Sequence, residues 1–149
     1  MKIAALCLAL LLIACTGPSI ASAEPIQPGA VKVIDGDTID VRGRTIRLIG
    51  FDTPEPESQA RCEAERTLAA RATQRLRQIV AGGGLNLTLA PCACKPGTEG
   101  TQACNYGRVC AVLTTAGRDV GALLIREGLA KPYQCGPRRC PRREPWCRL

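Results

Sequence analysis

The chain has 149 residues, with 20 Lys or Arg against 13 Asp or Glu, a formal net charge of +7. That length supports one domain with a modest core, and the basic balance suits a polyanionic partner. Histidine is absent, which excludes Ser-His-Asp and Cys-His catalysis and His-ligated zinc, so a general base must be a carboxylate, lysine, tyrosine or cysteine.

Residues 1–23 read as an export signal. Lys2 precedes an apolar run from Ile3 to Ala14 that is too short to span a bilayer; Pro18 breaks it, and Ala21-Ser22-Ala23 offers a small-residue cleavage site. The expectation is an exported domain over 24–149, periplasmic or secreted. Leu12-Ile13-Ala14-Cys15 also reads as a lipoprotein signal, which would anchor the chain to a membrane through Cys15.

Glu24 to Ala30 is a Pro/Gly-containing lead without periodicity. Strands are predicted over about 31–35, 37–42 and 44–51, with a tight turn at Arg42-Gly43. Pro54 and Pro56 prevent a helix there. From Ser58 to Val80, Leu68, Ala72, Leu76 and Ile79 recur at helical spacing. Arg61, Arg66, Arg71, Arg75 and Arg77 take the other faces and read as solvated charge. Gly82-Gly83-Gly84 stops that helix. A half-buried strand at 85–89, a loop from Pro91 to Cys104 and a strand at 109–114 follow. A helix over 118–129 turns Val120, Leu123, Leu124 and Ile125 inward and ends at Gly128. The tail from Pro132 carries arginines and Trp146. Three strands, a helix, two strands and a helix make an α+β chain.

Cys7 and Cys15 lie in the signal; Cys62, Cys92, Cys94, Cys104, Cys110, Cys135, Cys140 and Cys147 remain. An even set in an exported chain implies up to four disulfides, whose pairing the sequence does not select. A four-cysteine zinc site around Cys92-x-Cys94 is the rival, disfavoured by an oxidising compartment.

The chemistry concentrates between Val33 and Glu55. Asp35-Gly36-Asp37-Thr38 and Asp52-Thr53-Pro54-Glu55 flank the hairpin, so Asp37 can lie beside Asp52. Two carboxylates at one spot repel unless a cation sits between them, and hard oxygen donors suit calcium or magnesium. An EF-hand is excluded, because its terminal glutamate would fall at Ile46. Arg47 and Glu55 would then be close enough to act on what the metal holds. The bland alternatives are an Asx turn at Asp35-Gly36-Asp37 and a structural pair between Arg47 and Asp52.

These two clusters, with Ile46-Arg47-Leu48, Tyr106-Gly107-Arg108, Gly117 and Leu124 to Lys131, fall in the order of the thermonuclease, staphylococcal-nuclease-like family, which the chain resembles from roughly Val31 to Tyr133. The resemblance implies an OB-fold five-stranded barrel with two to three helices, here stapled by disulfides. It implies a monomeric, calcium-dependent phosphodiesterase acting on DNA, with RNA as a second candidate. By position, Asp37 and Asp52 match the calcium-binding carboxylates, and Thr53 matches a third ligand that offers its backbone carbonyl. Glu55 matches the base that activates water, and Arg47 and Arg108 match the arginines that hold the phosphate. Tyr106 matches a nucleotide-phosphate contact and Tyr133 an aromatic packing on the nucleotide. Asn105 departs from the best-known member, which has a lysine there. Lys131-Pro132-Tyr133 is offset, and the Cys-rich loop and tail have no counterpart. The alternative expectation is a non-catalytic OB-fold envelope module that binds nucleic acid or another polyanion.

Overall fold

The structure is a computed structural model that describes residues 22–137 and 139–147. The apolar run read as an export signal, and Cys15, fall outside these residues. In chain order come β1 (Glu24–Ile26), a 3-10 turn (Pro28–Ala30), β2 (Val31–Val33), β3 (Thr38–Val41), β4 (Arg44–Leu48), β5 (Gly50–Asp52) and α1 (Glu63–Ala81). After them come β6 (Leu85–Ala90), a second 3-10 turn (Asn105–Gly107), β7 (Val109–Thr115), β8 (Arg118–Asp119), α2 (Val120–Arg126) and β9 (Lys131–Tyr133).

The main sheet runs β1-β6-β7-β4-β3-β2, with β8 beside β7 and a separate β5-β9 pair. β4 and β7 are parallel and the remaining neighbours antiparallel. β1 and β2 are consecutive in the chain yet stand at opposite ends of this order. The segment 24–33 therefore borders both edges of a sheet that curls on itself. This is the α+β OB-fold barrel expected, built on β2, β3, β4–β5, β6 and β7, with β1 as an added strand.

Local departures from the predicted elements have physical causes. The strand expected over 44–51 breaks at Ile49, because Gly50 adopts φ 94°, a left-handed value that only glycine takes without strain. β5 then leaves the main sheet and pairs with β9, Asp52 opposite Lys131. The long helix begins at Glu63 rather than Ser58, with extended Cys62 as its N-cap and a disulfide from Cys62 to Cys147 fixing that point. Arg118 and Asp119 pair with β7 instead of opening the second helix. Asp119 Oδ1 accepts from the Ala122 N–H at 2.7 Å and caps α2. The lead contains β1, paired Glu24 to Leu87, a strand too short for alternation to show.

Ile39, Leu48, Leu76, Val120 and Leu124 are fully buried, each contributing roughly 1.5–3 kcal/mol by leaving water. α1 turns Ala72, Leu76 and Ile79 inward as expected, with Leu68 at the margin. Arg61, Arg66, Arg71 and Arg77 are exposed, so the solvated-face reading holds; Arg75 instead pairs with Glu127 beyond α2. α2 lies directly on β5: a Cβ at Gly121 would stand 2.3 Å from Phe51 Cδ1, so only glycine fits. Among the described residues four disulfides join Cys62–Cys147, Cys92–Cys110, Cys94–Cys104 and Cys135–Cys140. The zinc alternative fails, since the sulfurs of Cys92, Cys94 and Cys104 cluster as disulfides rather than as thiolates. Among the described residues no helix is long and apolar enough to cross a membrane.

Candidate active site

The β3–β4 hairpin closes through Arg42 and Gly43, both at left-handed φ (54° and 81°), the backbone a two-residue hairpin loop requires. Its pairing sets Thr38 opposite Arg47 and brings both acid clusters to one end. Asp35 Oδ1 accepts the Asp37 N–H at 3.0 Å, an Asx turn, so the bland reading holds for Asp35 and leaves Asp37 facing inward. Thr53 donates its N–H (3.0 Å) and its hydroxyl (2.9 Å) to Asp37 Oδ2. The Thr38 hydroxyl lies 3.3 Å from Asp37 Oδ1.

Arg47 stands between the two carboxylates. Its Nη1 is 3.0 Å from Asp37 Oδ2 and its Nη2 3.4 Å from Asp52 Oδ1. It also donates to the carbonyls of Leu48 (2.5 Å) and Phe51 (3.2 Å). The ion pair with Asp52 foreseen as a structural role is present, and Arg47 serves Asp37 as well. Burial raises the Asp37 pKa above the ordinary carboxylate value, the Arg47 charge opposes that and Asp35 adds to it. Asp37, Asp52 and Thr53 are 5%, 3% and 2% exposed. Asp37 and Asp52 bring buried hard oxygen donors to the Arg47 guanidinium, and Asp52 also meets Arg143. That chemistry fits a hard divalent cation.

Parallel pairing of Ile46 with Val109 brings Arg108 to the same end as Arg47. Arg108 is gripped by Asn105: Nε donates to the Asn105 carbonyl (3.1 Å) and Nη2 to its Oδ1 (2.8 Å). Nη1 reaches the Thr38 hydroxyl at 3.4 Å. Burial, then the nearby Arg47 charge, lowers the Arg108 pKa from its ordinary value, and a guanidinium still remains charged at working pH. Asn105 and Tyr106 hold left-handed φ of 50° and 57°. This turns the Tyr106 ring outward, 76% exposed, with the Arg108 guanidinium 5.5 Å from its centroid. Asn105 was a departure in sequence; in space it is the residue that orients Arg108.

Glu55 borders the same cleft, a space of about 1450 Å³ whose lining includes Asp37, Arg47, Glu55, Tyr106, Arg108 and Tyr133. Asp52 and Thr53 sit behind this wall. The Tyr133 hydroxyl donates to the Pro141 carbonyl at 2.9 Å, and burial pushes its pKa up. Two further charged residues were missed. Glu65 is fully buried and accepts from the Arg61 N–H at 2.8 Å and the Glu55 N–H at 3.5 Å, so α1 supports the Glu55 loop. It was hidden among helix charges read as solvated. Arg143 of the tail donates through Nε to Asp52 Oδ1 at 2.6 Å and pairs with Glu55. No periodicity marks that tail. The whole set can seat an anion against two guanidiniums with a carboxylate at hand to take a proton.

Residues 45–145 match the family described as Staphylococcal nuclease homologue. Over 104 residues the chain is 31% identical to Endonuclease YncB of Bacillus subtilis (strain 168), a match covering 67% of this chain and 44% of that protein. It is 30% identical over 104 residues to SPbeta prophage-derived endonuclease YokF of the same organism, covering 67% of this chain and 32% of that protein. The chain thus spans less than half the length of these curated relatives.

Proposed function

Because this chain belongs to the staphylococcal nuclease homologue family, we propose that it is an exported, monomeric, calcium-dependent nuclease that hydrolyses phosphodiester bonds of DNA, with RNA as a second candidate substrate. The observation that carries this reading is the convergence of Asp37, Arg47, Glu55 and Arg108 on one cleft. Four disulfides support export, since such bonds persist in oxidising compartments. The names of YncB and YokF support the activity.

Asp37, Asp52 and the Thr53 carbonyl would hold calcium, which when bound supplies positive charge that neutralises phosphate oxygen. Arg47 and Arg108 donate paired N–H groups to the non-bridging oxygens, where charge builds as phosphorus becomes five-coordinate. Glu55 takes a proton from water as the water oxygen bonds to phosphorus. The bond from phosphorus to the 5′ oxygen breaks, and that oxygen takes a proton from solvent. The products are a 3′-phosphate and a 5′-hydroxyl. Tyr106 contacts a nucleotide phosphate and Tyr133 packs on the nucleotide.

The test is incubation of disulfide-bonded protein with single-stranded DNA, double-stranded DNA and RNA, in calcium or chelator. Cleavage restricted to calcium is expected. Salt-sensitive binding without any product would instead support the non-catalytic polyanion-binding module.

A further inference from the structure

The tail does not merely trail from β9. Cys147 is bonded to Cys62 at the start of α1, a separation of 85 residues. Lys131 pairs with Glu144 at 3.3 Å, donates to the Pro145 carbonyl at 2.9 Å and lies 4.6 Å from the Trp146 ring centroid. The Tyr133–Pro141 hydrogen bond adds a fifth fastening. Lys131 is itself paired with Asp52 across the β5–β9 ladder. The strap from Pro141 to Cys147 is therefore fixed over the strand that ends in Asp52, and the side chain it delivers there is Arg143.

The Arg143 guanidinium meets both carboxylates at once. Nε and Nη2 address Asp52 Oδ1, and Nη1 pairs with Glu55 Oε1. Asp52 is almost wholly buried and Glu55 mostly so, with side chains 4% and 23% exposed, which strengthens the attraction relative to an open surface pair. An oxygen that faces a guanidinium cannot at the same time coordinate a metal ion in that direction.

We infer that Arg143 is a resident of the active site, a tethered cation that competes with the divalent cation for Asp52 and thereby sets the cation concentration at which the site loads. This rests on the calcium reading above. Cys62–Cys147 keeps the competitor at high local concentration, while rotation of the side chain alone removes it from Asp52, which keeps its pair with Arg47. In the same movement Glu55 loses its partner, so one cation-dependent step exposes a metal ligand and the base together. If the guanidinium holds the carboxylates about nine-tenths of the time, the apparent calcium affinity is about tenfold weaker than the intrinsic one.

The experiment is calorimetric titration of calcium into disulfide-bonded wild type, Arg143→Ala and Arg142→Ala, the last removing the exposed neighbouring charge. Arg143→Ala should bind calcium about tenfold more tightly, and Arg142→Ala should stay within about twofold of wild type, as a site without a shared partner does. Calcium binding of equal strength in wild type and Arg143→Ala, or weaker in the variant, would overturn the inference alone. Equal tightening by Arg142→Ala would also overturn it, by assigning the effect to overall charge. Absence of calcium binding in all three proteins would overturn the calcium reading and this inference with it.

Discussion

Gly36 lies flat against Thr53: a Cβ added at Gly36 would stand 2.8 Å from the Thr53 hydroxyl oxygen and 2.9 Å from its Cβ. That hydroxyl and the Thr53 N–H both end on Asp37 Oδ2, so the contact sets where the Asp37 carboxylate points. Gly36→Ala should cost about 1–3 kcal/mol as an overpacked contact and weaken calcium binding. Gly29→Ala, with nothing within 4 Å of its added Cβ, should leave calcium binding unchanged. Thermal unfolding and calcium titration of the two variants check this.

Arg108 owes its direction to Asn105, which accepts from two of its nitrogens. Asn105→Ala removes the side-chain acceptor and leaves the guanidinium one hold fewer. Turnover should fall by about tenfold, with the loss in kcat rather than KM, as for an interaction realised in the transition state. Arg108→Lys should not retain activity, because an ammonium lacks the paired planar donors. Steady-state kinetics on a defined oligonucleotide measures both.

The disulfides should differ in their contribution to stability. Cys62–Cys147 closes a separation of 85 residues and Cys135–Cys140 one of 5. Loop-closure entropy then assigns about 4–5 kcal/mol to the first and about 2 kcal/mol to the second. Urea unfolding of paired Cys→Ser variants should show that order.

Arg75 and Glu127 bond through two nitrogens and two oxygens, at 2.7 and 2.8 Å, and tie α1 to the end of α2. The Arg75 hydrogen bond lowers the Glu127 pKa below its ordinary 4.5. A carboxylate whose folded pKa is depressed contributes stability above its unfolded pKa and loses it as pH falls through the folded value. Glu127→Gln should therefore destabilise at pH 7, by less than about 1 kcal/mol because the pair is open to solvent, and match wild type below the depressed pKa. Unfolding midpoints across an acid pH series check the sign.

Individual strands and helices could be read from the sequence where alternation and turn chemistry agree, while their closure into a barrel followed from the family resemblance alone. Val41, Arg42-Gly43 and Arg44 form the tight hairpin that those residue types demand, and Leu76 and Leu124 are buried as their helical spacing requires. That Asp37, Arg47, Asp52 and Glu55 stand near one another was legible because strand pairing is local there. What stayed hidden depends on contacts between distant segments. β1 is three residues long and is defined by its partner β6. Gly50 changes strand direction through its backbone, and no side-chain pattern records that. Glu65 looks like one helix charge among several until Cys62, Arg61 and the Glu55 loop close over it. Arg143 lies 91 residues from Asp52, and the Cys62–Cys147 bond with the Lys131 and Tyr133 contacts to the tail brings the two together.

On the proposed mechanism Glu55 takes the proton from the attacking water. The most direct measurement is single-turnover cleavage of labelled DNA in saturating calcium by wild type and Glu55→Gln, with DNA binding measured in parallel. Cleavage by Glu55→Gln should be slower by about 10²–10⁴, the range for loss of a positioned general base, with affinity for DNA retained. Cleavage at the wild-type rate would contradict the assignment and move the base elsewhere in the cleft.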